Sequence, residues 1–286
     1  MSVTLAQPRS DLAAGQERAG APWRFPVEPV IQTMQACMDQ PLSLHELADV
    51  AGWSAYHFHR LFRTATGIPP NEFLTALRLQ EAKRLLLTTS ASVTDICWEV
   101  GYASLGTFTA RFTHLVGASP GRLRQFANTA TLPSLDRLSE LPPASAGTPL
   151  PAGAIGGEIR APTGVPGPIF VGLFSKPIPQ ARPVGATMLS APGRYQIAAP
   201  PDGRYHLLAA ALPWAEDPRV PALSGPGRLI GASAEPLLVQ QGRGVNQADV
   251  VLRAPRPIDP PLLSCLPFLF ASGCRRLRSL AGNGAS

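Results

Sequence analysis

Apolar residues follow two different periods along this 286-residue chain. From residue 27 to 126 they recur every three or four positions, which is the spacing of one face of an α-helix. After residue 154, short apolar runs alternate with Gly and Pro, which is typical of short β-strands joined by turns. The pattern predicts an all-α part followed by an all-β part. The predicted divisions are a disordered leader at 1–26, a helical domain at 27–127, a linker at 128–153, a β-sandwich at 154–256 and a tail at 257–286.

The helical part contains one local pattern twice. In each copy a Ser that can cap a helix is followed three residues later by an acid, the arrangement of a capping box. A Gly and an aromatic residue then stand where the first helix must end, because Gly tolerates the left-handed backbone of such a turn. A second Ser can cap the aromatic-rich helix that follows, so each copy predicts a helix-turn-helix unit. The repeated positions are Ser43, Glu46, Gly52 and Ser54 in the first copy and Ser92, Asp95, Gly101 and Ser104 in the second.

Three further helices bring the prediction to about seven. Apolar residues at helical spacing predict one at Val27–Asp39, which Pro41 ends. A second, at about Asn71–Leu87, joins the two units, and a third begins at Ser119-Pro120. The joining helix is expected to present a basic side made of Arg78, Lys83 and Arg84.

This stretch resembles the DNA-binding domain of the AraC/XylS family of bacterial transcription regulators, over the 100 residues from Val27 to Phe126. One helix-turn-helix would be a weak signal, but two copies joined by such a linker are specific. The resemblance implies that the second helix of each unit enters a DNA major groove, and that the linker helix fixes the separation of these two helices. The matching residues are Leu44 to Ala48, Gly52, Ser54, Phe58, Arg60 to Phe62, Gly67, Arg78 to Leu86, Ile96, Gly101, Tyr102, Ser104, Thr107, Phe108, Arg111, Phe112, Gly117 and Ser119 to Arg124.

In the first unit, the helix from Ser54 to about Thr66 is the predicted reader of DNA sequence. Arg60 is the strongest candidate, because an Arg can donate two parallel hydrogen bonds to a guanine edge. By resemblance, Tyr56, His59 and Arg60 occupy positions that face DNA. The alternative is that Arg60 and Arg63 contact only phosphate or solvent. The full set of candidates on this helix is Ala55, Tyr56, His59, Arg60 and Arg63.

The second unit departs from the family pattern. Leu105, Gly106 and Ala110 stand where several family members present polar side chains, and none of them can make a directed side-chain hydrogen bond to a base. Leu105 can pack on a thymine methyl group. We therefore expect the first unit to read sequence and the second mainly to position the protein on the DNA backbone. The candidates for this second role are Ser104, Leu105, Thr107 and Arg111, followed by Arg122 and Arg124 in the last helix.

The charge balance limits how strongly the helical domain can hold DNA without sequence preference. The whole chain has a net charge of +6, but residues 27–127 are neutral, with eight basic side chains against eight acids. Non-specific affinity should therefore be modest, since it comes from phosphate neutralisation. The eight basic residues are Arg60, Arg63, Arg78, Lys83, Arg84, Arg111, Arg122 and Arg124.

Seven or eight short strands predict the β-sandwich. Its Gly-Arg-Tyr turns at Gly193 and Gly203 resemble those of transthyretin-like, carboxypeptidase-regulatory-like sandwiches. Two explanations remain open for the aromatic and His residues Tyr195, Tyr205, His206 and Trp214: a ligand site, or core and cross-strand packing. The predicted strands are 155–160, 169–174, 187–189, 194–198, 204–211, 228–232, 237–240 and 250–253.

Together these observations predict a sequence-specific transcription regulator that binds double-stranded DNA. The β-sandwich would bind a small-molecule effector or a protein, and RNA polymerase is a further possible partner. We expect a bacterial, cytoplasmic, nucleoid-associated protein without cofactor, metal, membrane association or enzymatic activity, since no clustered catalytic or metal-binding residues are visible. The alternatives are an architectural DNA-binding protein of low sequence specificity, and an enzyme that uses the helical part as a DNA-targeting module. Arg275, Arg276 and Arg278 in the tail leave contact with DNA or a membrane surface open.

Overall fold

A computed structural model describes residues 24–129, 154–162, 164–165, 167–198, 200–213, 227–242 and 248–266. The predicted leader up to residue 23, most of the predicted linker, Trp214 and the arginine cluster at 275–278 lie outside the described residues.

Within the described residues, seven helices precede the β-strands, which confirms the predicted order of an all-α and an all-β part. The predicted first helix begins earlier than expected, at Arg24, and ends at Ala36 before a turn. The joining helix extends one residue beyond each predicted end. The helices are α1 Arg24–Ala36, α2 Leu44–Val50, α3 Ala55–Thr66, α4 Pro70–Thr88, α5 Val93–Glu99, α6 Leu105–Val116 and α7 Pro120–Thr129.

The central helix of this domain is α4, which is covered on most of its sides. Eleven of its residues are buried, and it contacts α1, α3, α5 and α7. Aromatic rings fill the space on the side of the first unit, where Phe62 packs edge-to-face against both Phe58 and Phe73 with ring centroids 5.4 Å apart. In the second unit, Phe108 packs edge-to-face against Tyr102, with ring centroids 5.4 Å apart, and in a tilted arrangement against Phe112, at 5.6 Å. The two units are therefore fixed to one rigid helix by extensive apolar burial.

In the part of the β-domain that the structure describes, eight strands form two sheets that share one core. One sheet has the order β4-β1-β8 and the other β3-β2-β5-β6, with β7 also paired to β5. All pairs are antiparallel except β1 with β8. Buried residues of both sheets, such as Ile155 and Leu207, meet in one cluster, as in a β-sandwich. The strands are β1 Ile155–Arg160, β2 Ile169–Phe174, β3 Gly185–Leu189, β4 Gly193–Ile197, β5 Gly203–Ala211, β6 Leu229–Ala232, β7 Leu237–Val239 and β8 Val250–Val251.

Strand β2 is buried on both faces, which shows that the helical domain packs against the outer face of its sheet. Ile169, Val171 and Leu173 point into the sandwich core. Phe170 and Phe174 alternate with them and are only 4% and 5% exposed, although they lie on the outer face. An outer sheet face that is buried must be covered by another layer. Here that layer consists of the helical domain together with residues 258–266.

Residues 257–266, which the sequence analysis assigned to a tail, are part of the packed structure. Ile258, Leu263 and Cys265 are buried in the core of the helical domain, and Leu262 and Leu266 pack on Phe170 of the sheet. This apolar run, which is too short to cross a membrane, is buried between the two domains. We call residues 258–266 the strap.

A second segment, residues 175–183, lies between β2 and β3 and also contacts the helical domain; we call it the docking loop. Its Ile178 is buried among the helices. The Ala181 amide donates a hydrogen bond to the Leu115 carbonyl at the end of α6. The strap runs beside the docking loop, since the amides of Leu263 and Ser264 both donate to the Pro179 carbonyl, at 3.0 and 2.9 Å. The two segments therefore join the domains as one layer.

Candidate nucleic-acid interface

Each helix-turn-helix unit begins with the predicted capping box. The Ser43 amide donates to Glu46 Oε2 at 2.7 Å, and the Glu46 amide donates to Ser43 Oγ at 3.2 Å. The hydrogen bonds from Ser43 to the carboxylate, the backbone one above all, hold the pKa of Glu46 below its ordinary value. Ser92 and Asp95 repeat the arrangement in the second unit. These reciprocal bonds satisfy amides that would otherwise be unpaired at the start of α2 and α5.

The exposed side of α3 carries the residues predicted to read DNA. Ser54 caps the helix by accepting from the His57 amide at 3.4 Å. Phe58 and Phe62 are fully buried, so the opposite side must face outward. Tyr56 is 82% exposed, the highest value among the exposed large apolar residues. Of the five predicted residues, Tyr56, Arg60 and Arg63 are exposed on this outer side, and Ala55 and His59 are half-buried at its edge, where Ala55 packs against the core.

The exposed side of α6 is different in chemistry. Ser104 caps this helix, and Phe108 and Phe112 are fully buried, as the equivalent residues are in α3. Leu105 is 39% exposed. Ser104, Thr107 and Arg111 are exposed beside it. The outer side forms a shallow depression lined by Leu105, Gly106, Thr109, Ala110, Thr113 and His114. Its lining offers few polar side-chain atoms, in contrast with the Tyr56, His59 and Arg60 side of α3.

Several basic residues of the helical domain are engaged inside the protein. Arg78 Nε donates to the Met38 carbonyl at 2.6 Å and its Nη2 to the Gln40 carbonyl at 2.7 Å, which ties α4 to the chain after α1. Lys83 is 1% exposed. Of the predicted basic side of α4, only Arg84 is exposed, and it pairs with Glu81. The expected basic side is therefore wrong, because packing turns two of its three members inward.

Arg124 also turns inward. Its side chain is half-buried, Nε lies 3.5 Å from the Leu86 carbonyl oxygen of α4, and Nη2 is buried without a hydrogen-bond partner. A guanidinium in this position braces α7 against α4. The geometry argues against the predicted phosphate contact of Arg124. Arg122, two positions earlier and on nearly the opposite side of α7, is exposed as expected.

Four exposed arginines thus remain on the helices of the candidate interface: Arg60, Arg63, Arg111 and Arg122. Arg111 also acts on the interior, since it lies near the buried hydroxyl of Tyr102. Burial raises the pKa of Tyr102, and the positive charges of Arg111 and Arg78 partly oppose that rise. The aromatic that follows the turn glycine of the second unit is therefore a neutral core residue.

The β-domain residues singled out in the sequence separate into two groups. Tyr195 and Tyr205 are buried, with their hydroxyls donating to the carbonyls of Ala248 at 2.6 Å and Pro201 at 2.8 Å. They belong to the core and a turn, so the packing explanation holds for both. His206 instead lines a cavity on the outer face of the sheet, between the two domains. Arg228 and Arg253 line the same cavity. Neither could be predicted from the sequence, because neither stands in a recognisable motif.

The family model described as "Helix-turn-helix domain" matches residues 47–125, from α2 into α7. Residues 47–125 are a helix-turn-helix domain of the AraC type. In the described parts of the chain, no group of three or more His, Cys, Asp or Glu side chains is placed to hold a metal ion. No helix among those same residues has the length and apolar character needed to cross a membrane.

Curated relatives are similar to part of the chain. The chain is 35% identical over 88 residues to the bifunctional transcriptional activator/DNA repair enzyme AdaA of Bacillus subtilis (strain 168), a match that covers 31% of this chain and 42% of that protein. It is 31% identical over 98 residues to an uncharacterized HTH-type transcriptional regulator of Staphylococcus aureus (strain COL), covering 34% of this chain and 13% of the relative. The chain therefore spans less than half the length of either relative.

Similar solved structures cover a comparable share of the chain. The DNA-binding domain of AdpA, a global transcriptional factor in complex with a target DNA, is 28% identical and aligns 36% of this chain with 96% of its own, at a TM-score of 0.35. A transcriptional regulator with an AraC-type DNA-binding domain from Chromobacterium violaceum is 27% identical and aligns 36% of this chain with 92% of its own, also at 0.35.

Proposed function

We propose that this protein is a sequence-specific, DNA-binding transcription regulator of the bacterial cytoplasm. The observation that carries the proposal is the pair of capped helices, α3 and α6, held by the buried helix α4 with their polar or small side chains outward. A helix presented in this way fits the DNA major groove. The AraC-type domain shared with transcription regulators supports the same conclusion.

The two units are proposed to differ in what they read. Tyr56, His59 and Arg60 on α3 offer donors and acceptors to base edges. The depression on α6 offers Leu105 for a thymine methyl, while Ser104, Thr107 and Arg111 contact phosphate. Ala55 and Arg63 would support α3 beside the bases and the backbone, and Arg122 would add a phosphate contact from α7. Specificity would then reside mainly in the half-site under α3.

Charge separates this proposal from an architectural protein of low specificity. Within the helical domain, four exposed arginines on the candidate interface give a small electrostatic contribution to binding. A protein that relies on the phosphate backbone alone needs a larger basic surface. The residues on α3 must therefore supply much of the affinity through base contacts.

The β-domain is proposed to bind an effector or a protein, with RNA polymerase as a partner during regulation on the nucleoid. Its contact with the ends of both units supports this role, because a change in the β-domain can reach the helices that face DNA. We propose no enzymatic activity and no cofactor for the chain. The transthyretin-like resemblance of the sandwich stays a hypothesis.

Selection from a random duplex library with the full chain tests the proposal. We compare the natural protein with Arg60→Ala and with Arg194→Ala, an exposed arginine on β4 that lies far from the AraC-type domain in sequence. The natural protein and Arg194→Ala should enrich one motif. Arg60→Ala should lose preference at one base pair, at a cost of about 1–3 kcal/mol. Enrichment of no motif would refute sequence-specific binding, and uniform binding to all duplexes would favour an architectural protein.

A further inference from the structure

A cavity of about 480 Å³ lies between the helical domain and the outer face of the sheet formed by β2, β5 and β6. This volume falls within the usual range for small-molecule sites. Gly172 helps to keep it open, since a Cβ there would lie 3.0 Å from the Phe174 ring and 3.2 Å from Pro183. The helical domain closes one side with Ala65, Thr66 and Gly67, at the end of α3.

Most of the cavity wall is apolar. The sheet contributes Phe170, Phe174 and Ile230, and the strap contributes Leu262 and Leu266. Prolines of the docking loop form another side. A ligand that fills this space must have an apolar body of aromatic or branched shape, because burying such a surface is the main source of its affinity.

Among the described residues of the wall, one positive charge has no charge-paired partner. Arg253 pairs with Asp259 through two hydrogen bonds of 2.7 Å, so these two charges cancel. Arg228 Nη1 is buried without a hydrogen-bond partner. His206 adds no charge at neutral pH, since burial and the charge of Arg204 hold its pKa below the ordinary value. Among the described lining residues the balance is thus one net positive charge, from two arginines and one aspartate.

An unpaired, buried guanidinium N–H is costly, and a carboxylate is the acceptor that best satisfies it. We propose that this cavity binds a small monocarboxylic acid with an aromatic or branched apolar body, whose carboxylate accepts a hydrogen bond from Arg228. The cost of burying the charge, which lowers the pKa of Arg228 with only partial opposition from Asp259, is offset once the anion is in place. The rest of the acid occupies the apolar wall.

The cavity adjoins the contacts that hold both helix-turn-helix units. Pro177 of the docking loop packs at the end of α3, where a Cβ on Gly67 would lie 3.4 Å from Pro177 Cγ. The same loop contacts the end of α6 through the Ala181 amide. The strap contacts the end of α6 through the Cys265 amide, which donates to the Val116 carbonyl at 3.3 Å. Strap and docking loop both line the cavity, so a ligand there alters the layer that positions α3 and α6. This regulatory part of the inference rests on the proposed function.

Calorimetric titration of the full chain tests the site without DNA. The probes are phenylacetic, indole-3-acetic and 4-methylpentanoic acids, each compared with its primary amide. We expect at least one acid to bind with a Kd below about 1 mM and its amide to bind at least about tenfold more weakly. Failure of all three acids at that concentration, or equal binding of acid and amide, would overturn the site.

Matched variants locate the binding. Arg228→Met should reduce the affinity for the acid to that for the amide, Arg228→Lys should restore part of it, and the exposed control Arg194→Met should change nothing. Ala232→Phe, at an exposed position of the cavity wall, should weaken acid and amide alike. It tests occupancy even if Arg228→Met fails to fold, as circular dichroism would reveal. An unchanged acid preference in a folded Arg228→Met would contradict the assignment.

The regulatory part is tested by measuring affinity for the selected DNA motif with and without the binding acid. The acid should change DNA affinity at least about threefold, and DNA should change acid affinity by the same factor. If the acid binds and DNA affinity does not change, the coupling is refuted while the site stands. If no DNA motif exists, the proposed function fails, and the calorimetric result still decides the site.

Discussion

Lys83 offers the sharpest test of how the two domains are joined. It lies on α4, is 1% exposed, and its Nζ donates to the Leu262 carbonyl of the strap at 2.7 Å. A single neutral acceptor compensates poorly for the water that a buried ammonium loses. Burial therefore lowers the pKa of Lys83 to about 8, with the nearby Arg228 charge lowering it further and Cys265 opposing.

The shift has a direct consequence for stability. The unfolded chain keeps an ordinary lysine pKa near 10.4, so between about pH 8 and pH 10.4 it binds a proton that the folded protein does not. The folded protein thus gains stability from Lys83 as the pH rises through this window. A shift of about 2.5 pKa units corresponds to about 3 kcal/mol.

The chain contains two lysines, Lys83 and Lys176, and this makes the measurement simple. Lysine labelled with carbon-13 at Cε gives two side-chain signals, of which Lys83→Met removes one. That signal should titrate near pH 8. Denaturant unfolding of the natural protein and Lys83→Met between pH 7 and about 10 should show their stability difference shift by about 3 kcal/mol in favour of the natural protein.

Lys176→Met is the matched control, because Lys176 is about half exposed and pairs with Glu72, at 2.9 Å. Its stability difference from the natural protein should vary much less over the same range. Each variant is compared with the natural protein at the same pH, because other titrating groups lower the stability of both as the pH rises. Burial raises the pKa of Tyr195, so every variant loses stability above the ordinary tyrosine pKa. A Lys83 signal titrating near 10.4, or a flat difference curve, would refute the reasoning.

Three further outcomes follow from contacts described above. Gly52→Ala and Gly101→Ala should lower the urea midpoint of unfolding by different amounts. Both residues have positive φ, so each substitution costs about 1–2 kcal/mol in backbone strain. Only at Gly101 would the new Cβ also meet backbone, 2.6 Å from the Met38 carbonyl oxygen, so the midpoint of Gly101→Ala should fall much further. Leu263→Ala should destabilise the helices by about 2–5 kcal/mol, measured from unfolding followed by circular dichroism. The control Leu238→Ala, at a residue that is 54% exposed, should change stability by less than about 0.5 kcal/mol. Equal effects would show that the strap is not part of the helical core. The logarithm of DNA affinity should fall with the logarithm of salt concentration at a slope no steeper than about −4, because four exposed arginines limit phosphate neutralisation. A slope near −8 would contradict the inward placement of Arg78, Lys83 and Arg124 and the pairing of Arg84 with Glu81.

Features that depend only on neighbouring residues could be predicted from the sequence. Ser43 with Glu46 and Ser92 with Asp95 predict capping boxes that the structure contains, since a capping box involves only neighbouring residues. The strands at 155–160 and 169–174 have their predicted bounds, because alternation and turn residues are local as well.

What the sequence analysis missed depends on contacts between distant residues. Arg78 bonds carbonyls 38 and 40 positions away, and Lys83 bonds one 179 positions away. A basic residue on a helix gives no local sign of such a partner. The strap was assigned to a tail for the same reason: its apolar residues show no period of their own, and they are buried by surfaces of both domains.

The strap and docking loop also bear on the spacing of bases that this protein accepts. The 19-residue helix α4 sets one separation between the two units, about 28 Å along its axis. Because the β-domain holds the far ends of both units, neither can swing on its own to follow displaced DNA. A five-base-pair insertion between the half-sites turns one of them to the opposite side of the duplex, about half a helical turn away. The protein should then bind only one half-site at a time. Two units joined by a flexible tether would instead bind both half-sites despite the insertion.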